Sequence, residues 1–273
     1  MESRHMESQG LHRPIAVFDA GIGSYAIVAE IQRRLPHQDV LYFADRASFP
    51  YGTKTPETLA RIMTQTLRLL ETFEPSAIVM ASNAPSITVL EEVRPMTRVP
   101  IFGVFPPLQE ALASSTSHTV GIMGVESLIE SEMLRAFVAR HDLKGAHVER
   151  INASSMVELV ESGRFLFDLQ ETQQRVNDFT AALFQRAPDI DVLTLSSTHL
   201  PWLKAFFERA RPQCRFLDPA ESVVAGLGNG TPGHGRIRTL VTEDARYSVS
   251  DFRRMLDRLG VALTLEVVEA PSP

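Results

Sequence analysis

The chain has 273 residues, 44% of them hydrophobic, a formal net charge of −6 and one cysteine. That length suits one large domain or two of about 100–150 residues. The acid excess without a long basic run argues against nucleic acid as a partner, and Cys214 alone excludes an internal disulfide framework or a CxxC metal or redox site.

No apolar run approaches the ~20 residues of a membrane span and no secretory signal is recognisable, so the chain reads as cytoplasmic. Residues 1–13, "MESRHMESQGLHR", are polar and nearly repeat "MES"; they read as a tag-like or disordered tail. The first strand is expected at 14–18, and Asp19, Ala20, Gly21 and Gly23 follow it. Here "GIGSYA" fits the dinucleotide fingerprint Gly-x-Gly-x-x-Ala, with Asp45 as a ribose acid. Asp19 just before it would repel a pyrophosphate, so the favoured reading is a tight strand-to-helix turn that needs glycine φ freedom.

A second strand at 39–44 ends at Asp45, and "FPYGTK" with Tyr51 and Gly52 comes a few residues later. In "PETLARIMTQTLRLLETF", Leu59, Ile62, Met63, Thr66, Leu67 and Leu70 recur at helical spacing behind Pro56, which fits a first turn. The strand at 76–81 runs into Ser82, Asn83 and Ala84. Another at 100–104 leads into "VFPP", a candidate hinge at 104–107.

Strands at 119–124 and 147–151 flank a helical pattern over 126–141. Glu161 in "VELVESG" sits on a short helix, where a solvated face is the ordinary role. A helix over 169–186 precedes the strand at 190–195, which breaks into Ser197, Thr198 and His199. "FLDPAE" at 216–221 marks a second hinge, and "GNGTPGHG" at 228–235 is too glycine-rich for regular structure. A strand at 237–241, a helix over 247–259 and a strand at 262–268 close the chain.

Near-continuous apolar strands alternating with amphipathic helices describe an α/β protein with parallel sheet buried on both faces. The two hinges bracket 108–215 as a second lobe. Residues 14–107 plus 216–273 then form a discontinuous first lobe, with a cleft between the two. In such sheets ligands bind beyond the carboxyl ends of the strands, where Asp19, Asp45, Ser82, Asn83, Ser197, Thr198 and His199 all fall. The serines and aspartates also suit helix caps, and His199 suits a packing role beside Pro201. No Gly-x-Ser-x-Gly elbow surrounds either serine, so a hydrolase triad is unsupported.

In register, "VFDAGIGS", "YFADRASFPYGTK", "ASNAPS", "LVESG", "LSSTHLPWL" and "DPAE" resemble the aspartate/glutamate racemase family over about residues 14–268. The corresponding family motifs are "FDSGxGG", "YFGD…PYGxK", "ACNTAS", "LVEEG" and "LGCTHYPLL". The resemblance implies two pseudo-symmetric α/β lobes and a site between them. It also implies amino-acid racemisation without a cofactor or metal, D-glutamate supply for peptidoglycan, a small anionic amino acid or related carboxylate as ligand, and a possible homodimer. In the family, two cysteines on opposite faces of the substrate take and return the Cα proton; Ser82 and Ser197 stand at those positions. Asp19, Ala20, Tyr51, Gly52, Asn83, Ala84, Thr198 and His199 fall where the family binds substrate. Asp45, Glu161 and His199 fall on its ionisable supports. Ala20 and Ala84 replace a serine and a threonine.

A thiol with a pKa of about 8.5 is readily tuned towards neutrality, whereas an aliphatic hydroxyl lies nearer to water at about 15.7. Forming the alkoxide at pH 7 costs on the order of 10 kcal/mol, at ~1.4 kcal/mol per pK unit. Two readings follow. One is a divergent isomerase in which Asp19, His199 or Glu161 moves the proton; the other is a binding or regulatory protein that keeps the cleft without ordinary racemisation.

Overall fold

A computed structural model describes residues 10–270 apart from 142 and 144. Among the described residues ten strands form two sheets, and every strand pairing is parallel. The strands are β1 (Ile15–Asp19), β2 (Val40–Asp45), β3 (Ala77–Met80), β4 (Ile101–Gly103), β5 (Thr119–Gly124), β6 (His147–Asn152), β7 (Val192–Leu195), β8 (Arg215–Leu217), β9 (Ile237–Thr242) and β10 (Leu265–Val267). One sheet has the order β10-β9-β2-β1-β3-β4 and the other β6-β5-β7-β8. The quartets β2-β1-β3-β4 and β6-β5-β7-β8 therefore share one winding, which is the pseudo-symmetry expected of the two lobes.

The apolar strands are explained by burial on both faces. In β1, Ile15 and Val17 face the helix Tyr25–Arg34, while Ala16 and Phe18 pack with the helix Pro56–Glu71. In the second sheet, Val120 and Ile122 share a core with Leu108 and Leu134. Leu193 and Leu195 share the largest core with Val176 and Leu183 of the helix Leu169–Arg186. That largest core contains residues of both sheets, so apolar packing is continuous between them.

Helix Pro56–Glu71 starts as its sequence dictates. Thr55 caps it by accepting from the Thr58 N–H at 3.3 Å, and Pro56 occupies a position needing no donor. The pattern over 126–141 is instead broken into Glu126–Ile129 and Glu132–Ala139. The break arises because Ser131 caps the second helix by accepting from the Leu134 N–H at 3.1 Å.

Two boundaries move. The division expected after residue 215 falls inside β8, which pairs with β7 at the edge of the second sheet. The crossing back therefore lies at Asp218–Pro219, before helix Ala220–Gly226. Of the expected tail, residues 1–9 lie outside the described residues. Residues 11 and 12 are tied down: Leu11 packs against the core that holds Phe18, and the His12 N–H donates to Asp39 Oδ2 at 2.8 Å. Among the described residues, no helix is long and apolar enough to cross a membrane.

Candidate active site

The matched windings place the two serines equivalently. Ser82 stands two residues past the end of β3, and Ser197 two residues past the end of β7, the third strand in each chain-order quartet. Between them lies a small cleft of about 50 Å³. Its walls include Asp19, Ala20, Tyr51, Gly52, Asn83, Ala84, Thr198 and His199 with both serines. Ser82 occupies the cap position of helix Asn83–Thr88 but makes no capping hydrogen bond, so its hydroxyl is not committed to the backbone there. The only cysteine, Cys214, is not among the cleft walls, and burial pushes its thiol up to about 12.

Asp19 ends β1 and is 3% exposed. Burial lifts its carboxyl to about 6, against the opposing pull of His199, the Ala20 N–H and the hydroxyls of Ser82 and Thr198. Thr198 donates to Asp19 Oδ2 at 3.2 Å. Asn83 donates its amide N–H to the Val104 carbonyl at 3.2 Å, which fixes the amide orientation. Its Oδ1 is thereby left buried without a donor.

Glu161 is not on a solvated face. Its side chain is 6% exposed and is held from three sides. Arg46 Nη1 donates to Oε1; on Oε2, His199 Nε2 lies at 2.9 Å and the Ile22 N–H at 3.1 Å. Facing a carboxylate, Nε2 is the nitrogen of His199 that carries hydrogen. Burial pushes the Glu161 carboxyl up, but His199 and Arg46 outweigh it and hold the group below the usual carboxylate range. Arg46 is itself 2% exposed and lies over the rings of Phe252 and Tyr247 at 4.9 and 5.6 Å.

These contacts overturn the dinucleotide alternative. The Glu161 carboxylate takes the backbone N–H inside "GIGSYA" where a pyrophosphate would have to sit. Asp45 is fully buried, accepting from Tyr51 at 3.1 Å and Thr242 at 2.9 Å. The reason for the glycines also changes. Gly21 has φ of −117°, and neither it nor Gly23 has positive φ. A Cβ on Gly21 would lie 2.5 Å from His199 Nε2, and one on Gly23 would lie 2.7 Å from the His199 backbone nitrogen. Close approach to His199 requires glycine here, not φ freedom.

Of the expected residues, all but Glu161 and Asp45 line the cleft. Glu161 reaches it through His199, and Asp45 stands behind Tyr51, whose hydroxyl is committed to it and whose ionisation burial and the neighbouring acids push well up. Arg46 and Phe49 were missed. A charged residue directly after Asp45 at the end of a buried strand was the available signal for Arg46. Phe49 lies 5.9 Å from the His199 ring and 4.9 Å from the Tyr247 ring, between the cleft and a larger chamber of about 860 Å³ that also touches Arg46 and Glu161. Among the described residues, no group of three or more His, Cys, Asp or Glu side chains is arranged to hold a metal ion.

The chain matches the family described as Asp/Glu/Hydantoin racemase over residues 24–227. It is 30% identical to a glutamate racemase of Streptococcus sanguinis strain SK36 over 218 residues, covering 79% of this chain and 80% of that protein. The fold superposes on a glutamate racemase isoform of Bacillus anthracis with a TM-score of 0.82 at 24% identity, covering 96% and 99% of the two chains. A Thermus thermophilus glutamate racemase, solved with β-chloro-D-alanine, gives 0.74 at 29% identity over 94% and 96%.

Proposed function

The chain belongs to the Asp/Glu/Hydantoin racemase family, and from that premise we propose that it is a glutamate racemase-like protein whose cleft holds an acidic amino acid or related carboxylate without ordinary two-thiol racemisation. The observation that carries the ligand class is the orphaned Oδ1 of Asn83 in the same cleft as the Asp19 carboxylate. A buried acceptor without a donor costs about 1–3 kcal/mol, and an α-ammonium supplies donors to both groups. The Ser197 hydroxyl, which only accepts from the His199 N–H, is then available to donate to the ligand carboxylate. Binding of β-chloro-D-alanine by the Thermus enzyme supports an amino acid in the equivalent cleft.

The second half of the proposal rests on the serines. No cleft residue is a thiol, and the His199 nitrogen that carries hydrogen is committed to Glu161. A ligand is thus bound and oriented, and its Cα proton stays in place. Supply of D-glutamate for peptidoglycan is not the role this reading assigns.

Calorimetric titration with L- and D-glutamate and aspartate tests the ligand class and carries a pH signature. Asp19 must ionise to receive the ammonium, so protons compete with the ligand below about pH 6. Affinity is expected to rise as pH increases through 6 and to be about tenfold weaker at pH 5 than at pH 7. Asp19→Asn should weaken binding and flatten the profile. Affinity that is flat in the wild type, or that increases towards acid pH, would remove Asp19 from the ammonium site.

A further inference from the structure

The cleft and the chamber beside it share Phe49, Pro50, Gly52, Val125 and Val157 as walls. Their capacities differ sharply. A cavity needs roughly 10–15 Å³ by this measure to hold one water, so about 50 Å³ takes little more than an ammonium, a Cα and a carboxylate. A side chain on that Cα must leave the cleft. The neighbouring chamber, at about 860 Å³, is in the size range of sites that enclose whole organic ligands of roughly 300–1,000 Å³.

The chamber walls indicate what would fill it. Phe49 and Tyr247 meet edge to face at 4.9 Å, and Val157 and Met255 add apolar surface. Arg246 is exposed and donates its backbone N–H to Asp244 Oδ1, while its guanidinium lies 5.3 Å over the Tyr247 ring and is in no ion pair among the described residues. Of the other two chamber guanidiniums, Arg46 is neutralised by Glu161 and Arg254 lies 3.7 Å from Asp251, so Arg246 is the one left for a ligand anion.

Building on the amino-acid reading of the cleft, we infer that cleft and chamber form one ligand site. It takes an α-amino acid whose side chain continues past Phe49 as an aromatic body ending in a carboxylate. The ammonium end is read by Asp19 and Asn83, the ring by Phe49 and Tyr247, and the terminal anion by Arg246.

Titration calorimetry with three probes tests this: glutamate, γ-glutamyl anilide and γ-glutamyl-4-aminobenzoate, each as both enantiomers. The expected order is aminobenzoate tightest, at least tenfold tighter than glutamate, with the anilide between. Glu158→Trp, at an exposed helix position that the chamber touches and the cleft does not, should abolish the advantage of both conjugates over glutamate. Arg246→Gln should bring the aminobenzoate down to the anilide and no further. Glutamate binding with no gain for the conjugates, or a gain that survives Glu158→Trp, would overturn the inference and leave the amino-acid cleft standing. If neither glutamate nor a conjugate bound, the reading of the cleft would fail and the inference with it.

Discussion

Replacing Ser82 and Ser197 together by cysteine is expected to raise exchange of the glutamate Cα proton in deuterated water by on the order of 10³. The figure follows from basicity. Hydroxyl and thiol differ by about 7 pK units, so at pH 7 the thiolate is more populated by about that many decades. An alkoxide is the stronger base once formed, and Brønsted behaviour returns roughly half of the gap. The balance favours the thiols by three to four decades when they stand on opposite sides of the ligand, the arrangement proposed here for the equivalent positions past β3 and β7. Either single cysteine should give exchange without efficient inversion, because one face then lacks its base. NMR of the Cα–H signal measures both. If the double variant exchanges no faster than the wild type, the limit lies elsewhere in the cleft, with Ala20 and Ala84 the first positions to restore to serine and threonine.

Arg46→Met carries the largest expected stability loss. The variant leaves Glu161 buried with one partner fewer, and breaking a buried ion pair from one side typically costs about 3–5 kcal/mol. For a chain of this size that lowers Tm at pH 7 by on the order of 10 °C. The sign of the pH dependence is fixed by Glu161, whose carboxyl is held below its usual range in the folded protein. Its contribution is present above the ordinary carboxylate pKa and is lost as pH falls through the folded value. The gap between wild type and Arg46→Met should therefore be widest near neutrality and narrow in acid. Pairing Arg46→Met with Glu161→Gln should recover part of the loss, since no charge is then stranded and the amide oxygen still accepts from His199 and the Ile22 N–H. Thermal unfolding monitored by circular dichroism across pH reads all three. A single variant as stable as the wild type at pH 7 would show that the ion pair contributes little.

The strands were legible because burial on both faces leaves little room for polar residues. Nine of the strands were expected within a few residues of their observed ends, but β8 was not, since Arg215–Leu217 is too short to show a period. The cleft residues were legible as polar breaks at strand ends. The electrostatic core of the site was not. Arg46 and Glu161 are separated by 115 positions, and each alone looks like a surface charge; only folding brings them together with exposures of 2% and 6%. The sequence marks Gly21 and Gly23 as constrained, but not that the constraint is the ring and backbone of His199.

The most direct test of the account is exchange in the protein as it stands. Incubated with L- and D-glutamate or aspartate in deuterated water, it should bind its ligand saturably and show no Cα–H exchange above background. Exchange above background that disappears with Ser82→Ala or Ser197→Ala would contradict it.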